Sequence, residues 1–147
     1  MILPNSYVSL TAPITPGSGT FLQYGGGGTG PALTAAFGTL SYEEGYQVID
    51  SVQYIIQTGA AVSAGTIGVQ LLVPWGGASG TWITATTPNS ATGAAFTLVA
   101  TLGANLTYNG ALNVAGNIFV PAIGIRLSYG GLTGGNITQG ALFVTRR

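Results

Sequence analysis

Residues 46–57 read Tyr46-Gln47-Val48-Ile49-Asp50-Ser51-Val52-Gln53-Tyr54-Ile55-Ile56-Gln57. Side chains along a strand alternate between two faces. Tyr46, Val48, Asp50, Val52, Tyr54 and Ile56 therefore share one face, and Gln47, Ile49, Ser51, Gln53, Ile55 and Gln57 share the other. The first face is apolar apart from one carboxylate, and the second is mixed. That is the pattern of a strand with one side against a core and the other against its surroundings.

The same chemistry continues on both sides. Gly and Pro punctuate the chain every few residues, and the runs between them are rich in Val, Ile, Thr, Tyr and Phe. Thr66 to Trp75 turns Ile67, Val69, Leu71 and Val73 to one side, with Pro74 as its stop, because proline cannot donate to a ladder. Thr81–Ala85, Ala94–Leu102, Ala115–Val120, Ile123–Tyr129 and Asn136–Thr145 read as further strands. Asn109-Gly110 reads as a two-residue hairpin turn, since both residues tolerate positive φ. Upstream, short strands are expected around Tyr7–Leu10, Phe21 and Phe37, among Pro13, Pro16 and the run Gly25-Gly26-Gly27-Gly28. The expected fold is all-β: an antiparallel β-sandwich of jelly-roll type, with an immunoglobulin-like sandwich as the alternative. Residues 1–45 are expected to form an extended Gly/Pro-rich arm with the first strands, and residues 46–147 the body of a single domain.

Only six of the 147 residues are charged: Glu43, Glu44, Asp50, Arg126, Arg146 and Arg147. An ordinary domain of this length carries about 37, at about a quarter of its residues. There is no Lys, His or Cys. Triads with His or Cys, Schiff bases and the usual metal clusters are thereby excluded, and a two-carboxylate site would have to come from Glu43, Glu44 and Asp50. The expectation is that the chain is not an enzyme and holds no metal or cofactor. Three arginines form no basic patch, so binding to nucleic acid is not expected. No apolar run is long enough to span a membrane. The start, Met1-Ile2-Leu3-Pro4-Asn5, has no basic segment of a secretory signal, so synthesis in the cytoplasm is expected. Near-zero net charge with so few charges favours association with other protein.

A few residues carry sharper readings. Asp50 falls on the apolar face of its strand, and a buried carboxylate needs a partner. Arg126, between Ile125 and Leu127, is the only basic residue away from the C-terminus. It is expected to pair with Asp50, Glu43 or Glu44, within the chain or across a subunit contact; an exposed bulge at Asp50 is the alternative. The Gly25–Gly28 run lacks a following Lys-Ser/Thr and a helix, so it is no phosphate loop. Asn105-Leu106-Thr107 and Asn136-Ile137-Thr138 match the glycosylation acceptor pattern, as chance allows in a chain rich in Asn and Thr. Trp75 and Trp82 flank a Gly-rich loop, where they could stack on a sugar, close the end of the core, or anchor a subunit contact.

Residues 46–147 resemble the small jelly-roll cement, or decoration, proteins on the heads of tailed bacteriophages. Thr66-Ile67-Gly68-Val69-Gln70-Leu71 is similar to the family's central strand. Pro121-Ala122-Ile123-Gly124-Ile125-Arg126-Leu127-Ser128-Tyr129 resembles its Pro-x-x-x-x-Arg-Leu-x-Tyr strand. Gly134-Gly135-Asn136-Ile137-Thr138 and Ala141-Leu142 with a basic end are similar to its last strand. The loop Pro74-Trp75-Gly76-Gly77 departs from the polar loop usual in that family, and the first 45 residues match weakly. The resemblance implies a virion protein on the outer capsid surface, a dimer or trimer that binds between major capsid proteins and braces the head. Under it, Phe21, Leu22, Tyr24, Gly25, Gly26, Gly27 and Gly28 of the arm, with Trp75 and Trp82, are the expected assembly contacts. A head-fibre or tail subunit, another extracellular filament, and a carbohydrate-binding module are the alternatives.

Overall fold

A computed structural model describes residues 6–25, 49–73, 81–85, 96–114 and 122–146. Its regular elements are all strands: β1 (Ser6–Ser9), β2 (Gly17–Tyr24), β3 (Ile49–Thr58), β4 (Ala64–Val73), β5 (Thr81–Thr84), β6 (Thr97–Val99), β7 (Thr107–Asn113), β8 (Gly124–Thr133) and β9 (Ile137–Arg146). They form two antiparallel sheets packed together, the sandwich expected from the alternation. The first sheet runs β1-β9-β3-β7; the second runs β2-β8-β4-β5, with β6 also pairing β4.

The core is the facing pair of sheet surfaces. Val52, Tyr54 and Ile56 of β3 meet Leu142 and Val144 of β9, Leu112 of β7 and Val8 of β1 on one layer. Ile67, Val69 and Leu71 of β4 and Ile125 and Leu127 of β8 supply the other. Most of these side chains are fully buried, each stabilising the fold by about 1.5–3 kcal/mol relative to exposure. Two strand glycines are covered by tyrosine rings. A Cβ on Gly110 would lie 2.8 Å from Tyr54 Oη, and one on Gly19 would lie 2.9 Å from Tyr129 Oη. Each ring lies over the neighbouring strand where that strand has no side chain, the aromatic rescue of a strand glycine.

Four expectations need correction. First, the strands expected around Tyr7–Leu10 and Phe21 are present as β1 and β2, but they belong to the sheets and not to an arm. β1 is the outer strand of the first sheet against β9, and β2 pairs with β8 in the second. Both lie inside the sandwich, so the body begins well before residue 46. Second, Asn109-Gly110 is strand interior, not a turn. Thr107 to Asn113 stay in unbroken register with Gln57 to Ser51, and Gly110 is needed opposite Tyr54. Third, strict alternation fails at Asp50. The β3–β9 register shifts between Ile49 and Ser51, so Asp50 is a bulge residue, half-buried, and Ile49 and Val52 both turn inward. Fourth, of the strand expected over Ala94–Leu102, the described residues 96–102 are strand only at β6, and the chain after it turns through Asn105 at φ 53°. The strands expected near Phe37 and over Ala115–Val120 lie outside the described residues.

One buried polar side chain ties the sandwich end together. Thr58 Oγ1 donates to Gly103 O at 2.5 Å and accepts from Leu106 N at 3.0 Å, fixing the β6–β7 connection against β3.

Candidate functional site

The outward side of the first sheet is assembled from four rows across its strands. Tyr7, Phe143, Gln53 and Ala111 stand in one row; Ser9, Ala141, Ile55 and Asn109 in the next. Thr145, Ser51 and Asn113 form a third, and Gln139, Gln57 and Thr107 a fourth. None of these residues is charged. Asp50 and Arg146, the charged residues nearest in sequence, fall at one end of the strands, where Arg146 is registered with Ile49.

This face also holds much of the exposed apolar bulk of the described residues. Tyr7 is 57% exposed, Ile55 42% and Phe143 37%. Tyr7 and Phe143 stack across the β1–β9 pair, with ring centroids 5.8 Å apart and planes 21° from parallel. Two shallow depressions adjoin them. One is lined by Ile55, Gln57, Thr107, Gln139, Gly140 and Ala141; the other by Gln53, Asn109, Gly110, Ala111 and Phe143 among others. The amides and hydroxyls offer hydrogen bonds without a charge to desolvate, and the rings and Ile55 offer apolar area. A surface of this kind suits a protein contact.

The outward side of the second sheet is different. Thr84, Gln70 and Arg126 form one row, and Trp82, Leu72 and Gly124 the neighbouring one. Arg126 Nε donates to Gln70 Oε1 at 2.7 Å, and the guanidinium carbon lies 4.2 Å from the Trp82 ring centroid. Burial lowers the Arg126 pKa from its ordinary value, but the group stays charged throughout the neutral range.

Arg126 does not pair with Asp50. The two residues lie on different sheets, and the described partners of Arg126 are Gln70 and Trp82. Among the described residues, a hydrogen bond and a cation–π contact stand where the pair with Asp50 was expected. Glu43 and Glu44 lie outside the described residues. Among the described residues no three Asp, Glu, His or Cys side chains gather as metal ligands would.

The expected arm contacts also move. Phe21, Leu22 and Tyr24 are in the core, each exposed by 1% or less, so they cannot serve as surface contacts of the folded chain. The reason is a bulge in β2: the register slips between Phe21 and Tyr24, and Leu22 takes φ 51°. All three apolar side chains thereby turn inward. Gly25 is buried and its carbonyl accepts from Gln23 Nε2 at 3.1 Å. Gly26, Gly27, Gly28 and Trp75 lie outside the described residues. Trp82 is half-buried on a sheet face, not at a loop tip.

Tyr7 and Phe143 were missed by sequence reasoning. Strand alternation puts Phe143 on the face away from Leu142 and Val144, but nothing local places it beside a residue near the other end of the chain. Ile55 was legible on the mixed face of its strand. The chain matches no protein-family model, no curated protein and no solved structure.

Proposed function

We propose that the protein is a virion structural subunit, a capsid decoration or cement protein that binds between major capsid proteins and stabilises the phage head. The observation that carries this reading is the uncharged outward face of the first sheet, with Tyr7, Phe143 and Ile55 exposed on it. The likeness of residues 46–147 to that family supports it. So does the order of the described strands: successive ones lie in opposite sheets except β4, β5 and β6, as in the double wrapping of a jelly roll.

The size of the face says how such binding would work. Four strands spaced about 4.8 Å apart, with four rows about 7 Å apart, cover on the order of 500 Å². A standard interface needs about 800 Å² from each partner. One such face is therefore a weak binder alone. Presented several times by a dimer or trimer, or backed by contacts elsewhere on the subunit, it reaches high avidity on a repeating lattice.

The test is cosedimentation of the purified chain with expanded, empty capsids of the phage whose genome encodes it. Saturable, stoichiometric binding is expected. No binding at native salt would overturn the reading.

A further inference from the structure

We propose that Asn109-Gly110 is a latent site of covalent modification, where the Asn109 side-chain amide is lost whenever β7 leaves its sheet, and that folding holds the site closed. Seven asparagines occur in the chain, and Asn109 is the one followed by glycine. In an unfolded chain the backbone nitrogen of the next residue attacks the asparagine Cγ. A C–N bond forms, the amide nitrogen leaves as ammonia, and a succinimide ring closes. Glycine has no Cβ to obstruct that approach. Water then adds to either ring carbonyl and breaks its bond to nitrogen. One product is ordinary aspartate. The other is isoaspartate, whose backbone runs through the former side chain and is one methylene longer.

The fold withholds the geometry that this reaction needs. Ring closure requires the Asn109 Cβ to eclipse the Gly110 nitrogen about the Cα–C bond. Asn109 instead lies inside β7, registered with Ile55 of β3, and Gly110 is registered with Tyr54. Extended antiparallel backbone has ψ of about +135°, which turns the next nitrogen away from the side chain. The Tyr54 ring lies over Gly110, its Oη 2.8 Å from where a Cβ would stand, and restricts rotation of that peptide. Exposure is not the control, since Asn109 is exposed to water in the folded chain. Opening is the control. Among the described strands β7 pairs with β3 alone, so the site opens when that one ladder parts.

The two products have different consequences. Aspartate keeps the length of the strand and adds one carboxylate to the row of Ser9, Ala141 and Ile55. Isoaspartate lengthens the backbone between positions 109 and 110, where Asn109 to Asn113 match Ile55 to Ser51 one for one. That match is broken, and Leu112, 2% exposed, loses its place in the core. A chain that lingers unfolded thus acquires a mark that keeps it out of the sandwich.

The experiment incubates the full chain at neutral pH, folded in buffer and unfolded in urea. A peptide of residues 106–113 in both solvents corrects for urea itself. Peptide mass spectrometry follows the amide at Asn109, with Asn105 and Asn113 as internal references, and chromatography separates aspartate from isoaspartate. Conversion at Asn109 is expected to be at least about tenfold faster in the unfolded chain than in the folded one. When the incubated chain is refolded by dilution, the folded fraction should hold aspartate in its starting proportion and be depleted of isoaspartate at least about tenfold. Equal rates in the folded and unfolded chain, conversion at Asn105 or Asn113 as fast as at Asn109, recovery of isoaspartate in its starting proportion, or loss of the aspartate form as complete as that of isoaspartate would each overturn the proposal. No capsid enters this experiment, so its failure and the failure of the capsid reading are separate results.

Discussion

Gly134 adopts φ 81°, a left-handed conformation that an L side chain rarely takes, in the connection between β8 and β9. A Cβ there would collide with Ala61 O and come within 2.8 Å of Ser63 Oγ. Gly131 adopts φ 58° with nothing within 4 Å of its absent Cβ. The pair separates conformational strain from collision. Gly131→Ala should lower stability by about 1 kcal/mol, the left-handed penalty alone, and Gly134→Ala by about 2–4 kcal/mol; urea midpoints at an unchanged slope measure both. Tyr54 gives a pH-dependent case. Burial raises its phenol pKa above the ordinary 10.0, so the unfolded chain ionises first as pH rises. Its contribution is complete below pH 10 and is lost as pH climbs through the unfolded value toward the folded one. Tyr54→Phe should therefore show a smaller fall in stability between pH 9 and 11 than the parent, read from urea midpoints across that range. The bulge at Leu22 belongs to the same scale. No property of the sequence Phe21-Leu22-Gln23-Tyr24 announces a left-handed leucine; it is held there because three apolar side chains find the core.

β1 is the shortest strand of its sheet and, among the described strands, pairs with β9, four residues against four. The Tyr7–Phe143 stack is therefore both part of its anchorage and part of the proposed docking face. Double-mutant analysis with Tyr7→Ala and Phe143→Ala should give a coupling of about 0.5–1.5 kcal/mol in stability. Either single substitution should weaken capsid binding at least about tenfold, as loss of an aromatic anchor does. Capsid binding that survives both substitutions would remove this face from the contact. Elements also show where local rules failed. β3, β4 and β8 were legible from alternation because each has its own apolar face. β7 was not, because Asn109-Gly110 favours a turn locally, whereas seven cross-strand partners on β3 favour extension.

Over the whole molecule, charge is the controlling quantity. With six charges in 147 residues, the proposed capsid binding through the first sheet would depend on apolar area and neutral hydrogen bonds, which salt does not screen. Affinity should change by less than about threefold between 0.05 and 0.5 M NaCl, where a contact made of several ion pairs would lose far more; binding isotherms at the two salts decide it. The sequence by itself determined that the chain forms a strand-rich sandwich and that the charge-based chemistries of His, Cys and Lys are absent from it, because those are properties of residue type and of a period-two pattern. The tertiary structure alone decided that Phe21, Leu22 and Tyr24 are core, that Arg126 turns to Gln70 and Trp82 in place of Asp50, and that Tyr7 meets Phe143. Each of those outcomes depends on which strands become neighbours and in what register. Those pairings join residues far apart in the chain, and a shift of one position in register reverses which face each side chain occupies.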